Sequence, residues 1–67
     1  VKVFVAIIDT YEEQVAVGVT ERRAVSAVSQ LAYLYLLRRQ AVRPETSTPR
    51  KVAEHFGVRV YEVEVTQ

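Results

Sequence analysis

The chain is 67 residues long, with nine basic and eight acidic side chains, a formal charge of +1 and no cysteine. That is a single domain, residues 1–67, and its composition, 49% hydrophobic and 25% charged, excludes intrinsic disorder. The missing cysteines exclude a disulfide scaffold and a cysteine-ligated zinc or iron–sulfur site. A chain of this size buries only about 60% of the surface its unfolded form exposes, so close packing or oligomerisation must supply the remaining stability. Neither a membrane-spanning apolar run nor a leader-like N-terminal stretch is present. With no cysteine to oxidise, the composition fits a reducing compartment, and a cytoplasmic location is expected. The first residue is Val1, so an initiator methionine or a tag is expected to have been removed.

Val1 to Thr10 reads as a strand with apolar residues at both odd positions (Val1, Val3, Val5, Ile7) and even ones (Phe4, Ala6, Ile8), the pattern of a strand covered on two sides. Asp9 to Glu13 forms the turn. Gln14 to Thr20 alternates, with Val15, Val17 and Val19 on one face and the small or polar Gln14, Ala16, Gly18 and Thr20 on the other. The two strands form a hairpin.

Thr20 is placed to cap a helix running from Glu21 to about Gln40, with Glu21 at its positive end and Arg38 and Arg39 at its negative end. The periodicity centres an apolar stripe on Ala24, Val28, Leu31 and Tyr35, widened by Val25, Ala32 and Leu36 and by Ala27 and Leu34. This arc of roughly 200° exceeds what one buried face needs. Tyr33 and Leu37 fall on the opposite, polar face. After a connector from Ala41 to Thr48, Thr48 and Pro49 open a short helix that buries Val52, Ala53 and Phe56 and stops at Gly57. Val58 to Val65 is the last strand. A bulge is expected at the adjacent Val60 and Tyr61, with Glu62 and Glu64 facing water and Tyr61, Val63 and Val65 facing inward.

Together these elements predict an α+β fold of β-β-α-α-β layout: a three-stranded antiparallel sheet in the order 2-1-3, packed on one long and one short helix. The most apolar strand takes the centre. The long helix covers one face of the sheet. Phe4 and Ile8 remain on the other, to be covered by the short helix or by another chain.

Catalytic chemistry has little to stand on. His55 is the single histidine and sits where a helix C-terminus favours a cation. Glu54, Glu62 and Glu64 are a weak oxygen set for a metal. Ser26 and Ser29 lie mid-helix with no base beside them. No enzymatic activity, cofactor or metal is therefore expected. Charge is more informative: residues 21–51 carry a net +5, flanked by segments of −2 on either side. Arg38, Arg39, Arg43, Arg50 and Lys51 bracket the inter-helix connector and are the candidate nucleic-acid contacts, with Tyr11 as a stacking side chain. The segment Thr48–Val58 resembles the first helix and turn of a helix-turn-helix motif, but Arg59 to Val65 alternates like a strand where the recognition helix should follow.

The sequences Val3-Phe-Val-Ala-Ile-Ile-Asp9, Val15-Ala-Val-Gly-Val-Thr-Glu-Arg-Arg-Ala24 and Tyr61-Glu-Val-Glu-Val65 give the chain a layout that resembles small, mostly uncharacterised phage and mobile-element proteins of β-β-α-β arrangement. The resemblance implies a compact viral or mobile-element accessory factor that acts by binding; no functional residue carries over. The leading expectation is a non-catalytic protein-interaction module, a homodimer that also binds an unidentified protein, with Tyr33, Leu37, Phe4 and Ile8 as contacts. Nucleic-acid binding through the basic cluster is the alternative.

Overall fold

The computed structural model describes residues 1–66 and begins with the hairpin of β1 (Lys2–Asp9) and β2 (Glu13–Gly18). The turn between them is tied by the Thr10 hydroxyl, which donates to the Glu12 carbonyl at 2.6 Å. Helix α1 (Glu21–Arg38) follows, then a 3-10 turn (Pro44–Thr46), helix α2 (Pro49–Phe56) and strand β3 (Arg59–Glu64). β1 pairs antiparallel with both other strands, giving the order β2-β1-β3. The α+β layout and the strand order agree with the sequence reading.

Both helices begin as their sequences dictate. The Thr20 hydroxyl accepts from the Arg23 amide at 3.1 Å, and the Thr48 hydroxyl from the Lys51 amide at 3.2 Å. α1 stops earlier than the periodicity suggests, at Arg38, because Gln40 turns left-handed at φ 55°. The Gln40 amide then donates to Leu37 and the Ala41 amide to Leu36, at 3.1 and 2.9 Å. These are the two closing bonds of a Schellman motif, with glutamine standing where glycine is usual.

The two helices share one side of the sheet. Ala6 and Ile8 of β1, Ala16 of β2, Ala24, Val28, Ala32 and Leu36 of α1, and Val52 of α2 form a single buried cluster. The sheet faces are therefore the reverse of those expected. It is the even-numbered side of β1, with Phe4 and Ile8, that meets the helices, and α2 lies beside α1 instead of covering the far face. The stripe on α1 is the row Ala24, Val28, Ala32 and Leu36, four residues apart, and Leu31, expected at its centre, is 43% exposed.

β3 needs no bulge. Val60 pairs with Ala6 and Tyr61 with Val5 in one continuous register, so the two adjacent apolar residues simply face opposite sides. Tyr61, Val63 and Val65 do not pack inward; they lie exposed on the side away from the helices. Glu62 and Glu64 face the helix side at its open rim, where Glu62 pairs with Lys2 at 3.2 Å and Glu64 with the N-terminal amine at 3.3 Å. Because α2 leads through Gly57 directly into β3, the likeness to a helix-turn-helix ends at the turn.

Candidate interaction surface

Strand residues directly opposite one another share a face, so the register defines the helix-free surface. Three rows cross it. Ile7 stands between Val15 and Arg59, and Val5 between Val17 and Tyr61; Val3 pairs with Val63, with Val19 continuing β2 on the same side. Eight of these nine positions are apolar and six are β-branched valine or isoleucine outside β3, residues that suit a pleated surface. Val15, Val17, Val19, Tyr61 and Val63 are exposed, between 41% and 61%, while the central Val3, Val5 and Ile7 are half-buried by their neighbours.

The valines of β2 point to this surface because its small residues face the helix. Gly18 and Ala16 let α1 approach closely: a Cβ on Gly18 would meet the Ala24 amide nitrogen at 2.5 Å. With the small residues turned toward the helix, strand alternation sends Val15, Val17 and Val19 outward. The one charged member of the grid is already paired within its own chain. The Arg59 guanidinium donates to Asp9 at 2.8 Å and lies 3.6 Å from Glu13. The Asp9 carboxylate, with Tyr61 next in effect, holds the Arg59 pKa above its ordinary value.

The contact residues expected from the sequence fall elsewhere. Ile8 is fully buried in the core and cannot be a contact, because the even-numbered side of β1 is the one the helices cover. Phe4 and Tyr33 are half-buried and pack against that same core. Leu37 is 49% exposed on α1, remote in kind from the sheet surface.

The five cations do not share one site. Arg50 joins Arg22, Ser26, Gln30 and Thr48 around an open cavity of about 580 Å³ between the helices, with its guanidinium turned to Glu54 at 3.3 Å. Arg43 lines a second cavity of about 220 Å³ with Tyr11 and His55. Arg39 lies over the rings of both Tyr11 and Tyr35, 5.4 Å from each centre. Lys51 donates to the Ser47 hydroxyl at 3.4 Å, and Arg38 is exposed at the end of α1. His55 packs edge-on against Phe56, ring centres 4.9 Å apart, and the Ser29 hydroxyl donates to the Val25 carbonyl at 2.6 Å.

Among the described residues no group of three or more histidine, aspartate or glutamate side chains is arranged to hold a metal ion, and no helix is long and apolar enough to cross a membrane. No protein-family model, curated protein or solved structure matches the chain. The valine-rich side of the sheet does not stand out in the sequence as a candidate surface, because alternation alone shows that β2 has two unlike faces without showing which one the helix takes.

Proposed function

We propose that the chain is a non-catalytic protein-interaction module whose binding surface is the helix-free side of its sheet. The single observation behind this reading is the three-by-three grid of Val15, Ile7 and Arg59; Val17, Val5 and Tyr61; and Val19, Val3 and Val63. Contiguous apolar patches of this kind mark interaction sites on soluble proteins. Strand side chains are held by the sheet, so a partner meets an ordered surface and little side-chain entropy is lost on binding.

A photo-crosslinking residue placed at Val17, compared with one at Leu37, tests the reading in cells of the source. Protein adducts from position 17 and few from position 37 are expected. Equal yields at the two positions, or none at position 17, would overturn it.

A further inference from the structure

Resting on that reading, we infer that the occupant of the sheet surface is a second copy of this chain, packed sheet against sheet.

Three observations carry the inference. The first is the size of the core. Of its eight buried apolar residues four are alanine, and only Ile8, Leu36, Val28 and Val52 are both large and fully enclosed. The molecule is one sheet and one helical layer thick, with Cα extents of 42 × 17 × 13 Å. A 67-residue chain with so little enclosed on one side gains its missing burial from the other. A partner required whenever the chain is folded must be present whenever the chain is made, and a second copy meets that condition.

Shape supplies the second observation. Neither cavity described above is lined by any residue of the grid. A helix or a peptide side chain needs a groove or a pocket to enter, whereas a pleated array of β-branched side chains is matched by another such array at the spacing of about 10 Å found in β-sandwiches. Two such faces, each three strands wide, would bury on the order of 1,000 Å² in total, the size at which specific interfaces begin.

The third is charge. A covered surface must not trap an unpaired ion. Arg59 reaches its own Asp9 and Glu13, so the one cation at the corner of the grid brings its counter-ions with it. The remaining charged strand residues, Lys2, Glu62 and Glu64, lie on the helix side, clear of the interface.

Sedimentation equilibrium on the intact chain and on Val17→Lys and Tyr61→Lys tests this. Val17 is 60% and Tyr61 49% exposed in the single chain, so lysine is tolerated by the monomer fold. The wild type should sediment at twice 7.6 kDa, and each variant should fall to half that mass with its far-ultraviolet circular dichroism unchanged. If a variant fails to fold, filtered NOEs between isotopically labelled and unlabelled wild-type copies, expected among the methyl groups of Val5, Val15 and Val17, decide instead. A monomeric wild type overturns the second copy as occupant. Adducts to other proteins from position 17 would then leave the protein-binding surface standing. A dimer that survives both lysines and shows no such NOEs is held by another surface and overturns the packing of sheet against sheet.

Discussion

The Cβ that alanine would add at Gly18 lies 2.5 Å from the backbone nitrogen of Ala24 and 3.0 Å from its Cα. Both are main-chain atoms in the first turn of α1, so neither can swing aside as a side chain would. The contact fixes the spacing between β2 and the helix, and through it the outward direction of the valines. Gly18→Ala should therefore destabilise the fold by about 1–3 kcal/mol, the usual cost of overpacking. Urea denaturation followed by circular dichroism measures this, and an unchanged midpoint would show that α1 is not seated as described.

Gln40 ends α1 in a left-handed conformation, φ 55°, where a side chain costs roughly 1 kcal/mol that glycine does not incur. Its amide and that of Ala41 complete the helix-closing bonds to Leu37 and Leu36, and these involve only main chain. Gln40→Gly should keep both bonds and stabilise the protein by about 0.5–1 kcal/mol. Thermal melting checks the sign, and a lower melting temperature would contradict this account of the helix end.

The helix caps and the α2-to-β3 transition were legible because they rest on local chemistry: Thr20, Thr48, Pro49 and Gly57 act within one turn of where they stand. The strand order was legible because β1 is apolar on both faces and so takes the centre. The sidedness of the sheet was not. On β3 valine is more apolar than glutamate, so hydrophobicity favours turning Val63 inward and leaving Glu62 and Glu64 in water. The observed choice follows from a distance, the close approach of α1 to Ala16 and Gly18, which no single-residue property encodes. The same approach explains the displaced stripe on α1. A helix pressed onto a strand of small residues meets it best with its own small row, Ala24 and Ala32, and leaves Leu31 at the margin. Leu37 and Tyr33 drew attention as apolar residues on a polar face. One of them proved to be a flank of the core and the other a single exposed leucine, a common feature of soluble surfaces.

The displaced stripe has its own test. Leu36 is 1% exposed and Leu31 is 43% exposed, although the sequence period ranks Leu31 as the more central. Leu36→Ala should cost about 2–5 kcal/mol through lost burial and the cavity left behind. Leu31→Ala should cost within about 0.5 kcal/mol of nothing beyond helix propensity. Chemical denaturation of the two variants side by side decides it; equal losses would return Leu31 to the core.

Tyr35 carries the one buried side-chain polar atom without a hydrogen-bond partner among the described residues, its hydroxyl oxygen. Its ring packs on the core and beneath Arg39. The ring contributes burial and a cation–π contact that phenylalanine would keep. The hydroxyl loses its hydration on folding and gains nothing in exchange, a penalty of about 1–3 kcal/mol. Tyr35→Phe should therefore raise the unfolding free energy by up to that amount while leaving the circular dichroism spectrum unaltered. The arginine should remain over the ring, readable as an upfield shift of the Arg39 side-chain protons that persists in the variant. A destabilised Tyr35→Phe would mean that the hydroxyl is bonded in solution and that this end of the core is held by a polar contact as well as by packing.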